Sequence, residues 1–130
     1  MIVDTSAILA IVKAEPERTD FLAALRGAQA RRMSAGTWLE LGIVARRAGD
    51  PVVQRRVAEL LEVLDIHVEP FTAEHAALAL DAYADFGKGS GHPAGLNFGD
   101  CFAYALAQAA REPLLYKGED FGHTDVPSAL

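Results

Sequence analysis

Met1-Ile2-Val3-Asp4-Thr5-Ser6-Ala7-Ile8-Leu9 is the stretch that decides the fold. Ile2-Val3 reads as a short buried strand, and Asp4-Thr5-Ser6 supplies cap chemistry for a helix that continues through Ile8, Leu9, Ile11 and Val12. A strand that passes straight into a helix is the repeating unit of a parallel sheet.

Reading outward, the alternation persists. Pro16 suits the first turn of a second helix, in which Phe21, Leu22, Leu25 and Ala28 recur at helical spacing. Arg32-Met33-Ser34 is the candidate second strand. A helix over residues 37–48 stops at Gly49, and Asp50-Pro51 caps and starts the next, with Val53, Val57, Leu60, Leu61 and Leu64 in one apolar stripe. These two helices read as a hairpin. Residues 66–69 form the third strand, Thr72 caps a helix ending near Phe86, and Lys88-Gly89-Ser90-Gly91-His92-Pro93 is loop. Asn97 then caps a helix through Ala110, and Leu114-Leu115-Tyr116 is the last strand. The expected fold is α/β: a central parallel sheet of four to five strands with helices on both faces. No repeat, low-complexity tract or long linker divides it, so residues 1–130 are expected to form a single domain.

Composition limits the function classes. With 51% hydrophobic and 23% charged residues over 130 positions, there is apolar material for one core. No apolar run approaches the roughly 18 residues of a membrane span, and an acid at position 4 comes too early for a signal peptide, which predicts a cytoplasmic protein. The one cysteine, Cys101, has no second thiol, and His67, His75, His92 and His123 lack the paired spacing of zinc sites. A net charge of −6 argues against a general nucleic-acid coat but does not exclude a nuclease. The adjacent pairs Arg31-Arg32, Arg46-Arg47 and Arg55-Arg56 are either solvated helix surface or a face for phosphate or a partner.

Ligands of open parallel sheets collect beyond the carboxyl ends of the strands. Asp4 directly follows the first strand, Asp120 lies just past the last, and Asp100 sits in the first turn of the helix that Asn97 caps. Glu40 stands in an apolar helix with Ile43 and Val44 three and four residues on, so its carboxylate is expected to face buried surface. Each has a plain structural role available: Asp4 as a cap, Asp100 as a partner of the helix dipole, Asp120 in a turn, Glu40 in an ion pair with an arginine. Taken together they are a cation trap. Two unit charges about 5 Å apart repel by roughly 3 kcal/mol at an effective dielectric near 20, so four crowded carboxylates need a metal or bound protons.

Several stretches resemble one family. They are Met1-Ile2-Val3-Asp4-Thr5-Ser6-Ala7, the mid-chain Glu40, Gly95-Leu96-Asn97-Phe98-Gly99-Asp100-Cys101-Phe102-Ala103-Tyr104-Ala105, and Leu114-Leu115-Tyr116-Lys117-Gly118-Glu119-Asp120-Phe121 with Thr124-Asp125. In this order they are similar to PIN-domain ribonucleases, and among these to the VapC toxins of bacterial type II toxin–antitoxin modules. The resemblance implies a Mg²⁺- or Mn²⁺-dependent endoribonuclease acting on RNA, a homodimer, held inactive by a cognate VapB antitoxin. It implies an acidic site of Asp4, Glu40, Asp100 and Asp120, in which the chemistry of Mg²⁺ leads us to expect Asp4 and Asp100 as the most direct ligands and Glu40 and Asp120 acting through water or on the nucleophile. Thr5 or Ser6 would orient Asp4 or a bound water, and Asn97 would hold the start of the Asp100 helix. Asp125 matches a looser part of the pattern, and Glu119 adds a second acid beside Asp120.

A reading from another class is a phosphoacceptor receiver domain, which shares the sheet, the acids and a lysine after a late strand, a position Lys117 could fill. It needs an acidic pair after the first strand and an acceptor Asp ending the third, where this chain has a lone Asp4 and Glu69-Pro70. Among the remaining features, Gly87-Lys88-Gly89-Ser90-Gly91 reads as a connection rather than a phosphate loop, Trp38 as core, and His92 and His123 as exposed turn residues. The hairpin helices over residues 37–64 are candidate surface for dimerisation or antitoxin docking.

Overall fold

The computed structural model describes residues 1–130. Strands β1 (Ile2–Val3), β2 (Arg31–Ser34), β3 (Ile66–Glu69) and β4 (Leu114–Leu115) form one sheet in the order β3-β2-β1-β4, with every neighbouring pair parallel. All connections are helical. α1 (Thr5–Val12) and α2 (Arg18–Gly27) join β1 to β2, α3 (Ala35–Arg47) and α4 (Pro51–Val63) join β2 to β3, and α5 (Ala73–Phe86) and α6 (Phe98–Ala110) join β3 to β4. The first three strands step outward to one side, and β4 then returns to the free side of β1. That reversal creates a switch point between β1 and β4, and its crevice opens beyond the carboxyl ends of both.

Two-residue strands suffice because both faces are covered. Successive side chains alternate across the sheet: Ile2 and Leu114 pack with Ala82, Ala103, Leu106 and Ala107 of α5 and α6, while Val3 and Leu115 pack with Ile8, Leu25, Leu41 and Val57 of α1 to α4. A fifth strand position is held by a single residue. Ser128 bridges in parallel to Leu114, whose N–H donates to the Pro127 carbonyl at 2.9 Å and whose carbonyl accepts from Ala129 N–H at 3.0 Å.

Five of the six α-helix starts follow a side-chain cap, α2 being the exception. Asp4 accepts from Ser6 N–H, Ser34 from Gly36 N–H, Asp50 from Val52 N–H and Thr72 from His75 N–H. Asn97 and Asp100 form a reciprocal capping box at the head of α6. Several boundaries differ from the sequence reading: β2 starts one residue earlier, at Arg31, β4 stops at Leu115 without Tyr116, and α2 stops at Gly27, before Ala28. α3 begins at Ala35, because Ser34 both ends β2 and caps the helix, leaving no connecting residues. Pro16 lies outside α2, in the turn where Arg18 N–H donates to the Glu15 carbonyl. Trp38 is not core: the buried line on α3 is Thr37, Leu41 and Ala45, and Trp38, a turn of about 100° away from it, is 50% exposed.

Candidate active site

Asp4 is fixed by the sheet itself. Its backbone N–H donates to the Leu115 carbonyl at 3.0 Å, which extends the ladder by one residue and holds Asp4 at the switch point. Asp4 Oδ2 accepts Ser6 N–H at 2.9 Å and the Ser6 hydroxyl at 2.6 Å. Ser6 Oγ in turn accepts Lys117 N–H at 2.9 Å, so one hydroxyl ties the turn after β1 to the segment leaving β4. The neighbouring Thr5 hydroxyl donates instead to the Thr37 carbonyl at 3.3 Å, joining α1 to the start of α3.

The other acids arrive from three separate elements. Asp100 is the third residue of α6; its Oδ2 accepts Asn97 N–H at 2.9 Å, and Asn97 Oδ1 accepts Asp100 N–H at 2.9 Å. Glu40 projects from α3 onto the first turn of α6 and lies against the backbone of Gly99. Asp120 follows Gly118, whose φ of +108° belongs to glycine, and heads a 3-10 turn at Phe121–His123 that is anchored by buried Phe121 against Tyr116. Asp120 itself is exposed.

Asp100 feels the charges of the other three acids. Burial raises the Asp100 carboxyl to about 7; the Asn97 N–H opposes this, while the charges of Asp4, Asp120 and Glu40 add to it. Asp4, 4% exposed, is also pushed up, first by burial and further by Glu40, with the Ser6 hydrogen bonds opposing. None of the four forms an ion pair with a Lys, Arg or His side chain. An arginine partner for Glu40 is therefore absent. The carboxylates do not close into a cage either, since no three His, Cys, Asp or Glu side chains stand close enough to hold an ion among themselves. Mg²⁺ typically takes one or two protein carboxylates and keeps several waters, so an open arrangement with buried Asp4 and part-buried Asp100, neither of them ion-paired, matches its demands.

The remaining candidates are placed elsewhere or play other parts. Asp125 Oδ1 accepts the Tyr104 hydroxyl at 2.6 Å and Gln108 Nε2 at 3.0 Å, which pins the C-terminal segment to the later turns of α6. Glu119 is exposed and makes no hydrogen bond or ion pair through its side chain. Lys117 reaches away from the acids to pair with Glu15 and, at 3.2 Å, with Glu17. That orientation and the Glu69 end of β3 leave the receiver reading without its lysine and its acceptor. His92 is half-buried against Phe86, at 4.9 Å between rings, rather than an exposed turn residue.

Of the arginine pairs, Arg31 holds the carbonyls of Leu25 and Ala28 at the end of α2, and Arg32 pairs with Glu69 and Glu112. Arg55 pairs with Glu59, and Arg46 bonds the Gly42 carbonyl of its own helix. Arg47 is the cation that lines a groove with Glu40, Phe98, Gly99 and Phe102, about 310 Å³ in volume, between α3 and α6. Sequence reading offered Arg47 only as half of one of three arginine pairs that could face phosphate or a partner, and it missed the part played by Gly99. The available signal was a glycine set between a helix cap and a site acid.

A family model described as PIN domain matches residues 1–127. The chain is 58% identical over all 130 residues to VapC ribonuclease Mb0625 of Mycobacterium bovis and equally to ribonuclease VapC28 of Mycobacterium tuberculosis, covering 98% of each. Among solved structures, VapC20 of Mycobacterium tuberculosis, named a sarcin–ricin loop cleaving toxin, superposes with a TM-score of 0.73 at 18% identity over 96% of this chain and 95% of that one. VapBC2 from Rickettsia felis, bound to a DNA fragment from its promoter, superposes with a TM-score of 0.69 at 15% identity over 98% of this chain and 94% of that one.

Proposed function

The chain belongs to the PIN-domain family, with VapC ribonucleases among its relatives, and on that premise we propose that it is a divalent-metal-dependent endoribonuclease toxin neutralised by a VapB-type antitoxin. The observation that carries the proposal is the raised carboxyls of buried Asp4 and part-buried Asp100, both of which feel the charge of Glu40 and the second that of Asp120, with no cationic side chain to balance them. An excess of desolvated negative charge is costly unless a cation enters. Mg²⁺ fits this oxygen-only donor set, and Mn²⁺ accepts the same ligands.

When bound, such an ion neutralises the phosphodiester's anionic oxygens and lowers the pKa of water. The protein's own part is placement. Asp4, locked by Ser6, and Asp100, locked by the capping box, would hold the ion directly. Glu40 and Asp120 would hold its waters in line or accept a proton from the attacking water. Ser6 links the Asp4 side to the Asp120 segment, so the two halves of the pocket keep a common geometry.

RNA would approach along the groove that leads from Glu40 past Arg47 and the largely exposed Phe98 ring, a cation and an aromatic face beside the acids. Unpaired RNA suits such a groove because its strand bends and its bases splay. With Mg²⁺ the protein should cut loops in preference to stems, and a chelator should stop it; equal cutting of both substrates would count against the groove. Arg47→Glu should raise KM for RNA on the order of tenfold and flatten the salt dependence while leaving kcat little changed. An unchanged KM would take Arg47 out of the path.

For partners, α3 exposes Trp38, Leu39 and Ile43, while Leu80, Tyr83 and Phe98 stand out on α5 and α6. Apolar surface of this kind suits an antitoxin and a second copy of the chain. No helix is long and apolar enough to cross a membrane.

A further inference from the structure

Resting on the ribonuclease reading of the acidic pocket, we infer that Gly99 is a positioning residue: its lack of a side chain is what admits the Glu40 carboxylate beside Asp100. A Cβ built at Gly99 would lie 1.6 Å from Glu40 Oε2, 2.6 Å from Cδ and 3.2 Å from Oε1. The backbone does not ask for glycine there. Gly99 is the second residue of α6 and is absent from the positive-φ positions, so alanine would favour the helix by up to about 1 kcal/mol. The reason for glycine at this place is steric.

The same seam repeats in the opposite direction. On α3, a Cβ at Gly36 would lie 2.2 Å from the Phe102 ring. Glu40 is four residues on from Gly36, and Phe102 is three on from Gly99, so each helix offers a glycine to a side chain one turn along the other. Phe102 sets the approach of the helices. Gly99 then decides where the Glu40 carboxylate comes to rest.

Alanine at 99 would force that carboxylate back by roughly 1.5 Å to reach ordinary contact distance. The displaced atoms are the far end of a flexible side chain, so the fold should tolerate it. The chemistry should not, because a misplacement of about 1 Å can cost on the order of 100-fold.

The test is a double-mutant cycle of Gly99→Ala and Glu40→Asp, read by Mg²⁺-dependent RNA cleavage and by thermal unfolding. Gly99→Ala alone should keep its Tm and lose cleavage by about 10- to 100-fold. Glu40→Asp withdraws the carboxylate by one methylene and lowers cleavage on its own, and in that background adding Gly99→Ala should cost little further. Near-native activity of Gly99→Ala, or an equal loss in both backgrounds, would overturn the inference. If Gly99→Ala fails to fold, the double variant must regain the fold, and one that stays unfolded overturns it. A wild-type chain that cuts no RNA sinks the ribonuclease reading instead; the coupling is then read from the Mg²⁺-induced Tm shift. That shift must shrink in Gly99→Ala but not on adding the same change to Glu40→Asp, and equal shifts in all variants would end the inference.

Discussion

Asparagine at position 4 or 100 is expected to abolish metal-dependent RNA cleavage, a fall on the order of 10²- to 10⁴-fold, with the fold intact. Both substitutions preserve volume and an acceptor oxygen. Asn at 4 can still accept the N–H and hydroxyl of Ser6, and Asn at 100 can still complete the capping box with Asn97. What each loses is the negative charge that burial makes so costly and that a divalent ion would balance. Without metal at neutral pH, each variant should therefore unfold at a temperature no lower than the wild type. Lost activity joined to unchanged or improved stability separates a role in chemistry from a role in folding. Single-turnover cleavage and a thermal melt on the same samples decide it. Retained Mg²⁺-dependent cleavage by either variant would remove that residue from the site.

The parts of the fold that were legible from sequence are those set by local chemistry. Asp4, Asp50, Thr72 and Asn97 were each readable as a cap because the cap bond spans only two or three residues, and each stands at its helix start. Ile2-Val3 and Leu114-Leu115 were readable as buried strands because a parallel sheet covered on both faces asks for apolar residues at consecutive positions. The junction at Ser34 was harder, since one residue serves both strand and helix and leaves no loop to mark the boundary.

The candidate site was legible where topology alone places a residue and obscure where packing does. Asp4 and Asp120 follow strands that meet at the switch point, and Asp100 heads the helix leading back to β4. Glu40 has no such guide. Its apolar neighbours suggested a buried face, yet Ile43 is 43% exposed, and the carboxylate reaches the pocket sideways through the Gly36–Phe102 and Gly99–Glu40 seam. Lys117 and Asp125 show the reverse case. Both lie close in sequence to Asp120, but Glu15 and Glu17 draw the first away and Tyr104 and Gln108 the second. Such long-range pairings carry no local signature.

In the metal-free protein, stability should fall as pH rises from about 4 to about 7, and a divalent ion should reverse the loss. The sign follows from Asp100, whose carboxyl moves from an ordinary 3.8 to about 7 on folding. Between those values the native chain keeps a proton that the unfolded chain has released, so raising the pH favours unfolding. Asp4 is shifted in the same direction and steepens the slope. The contribution is fully present below the unfolded value and gone above about 7. Since Asp100 is partly open to water, the swing should be on the order of 2 kcal/mol rather than the full value of the shift. For a chain of this size that corresponds to roughly 5–10 °C in Tm. Mg²⁺ competes for the deprotonated form, so it should restore little near pH 5 and most near pH 7.5, with about 2.7 kcal/mol expected at a hundred times its Kd. Asp100→Asn should reduce the pH slope to the share left by Asp4 and blunt the ion's effect together, because the Asp100 carboxylate contributes to both. A metal-free Tm that stays level across this range, with no response to Mg²⁺ at its upper end, would mean the four acids do not act on one another as a single site.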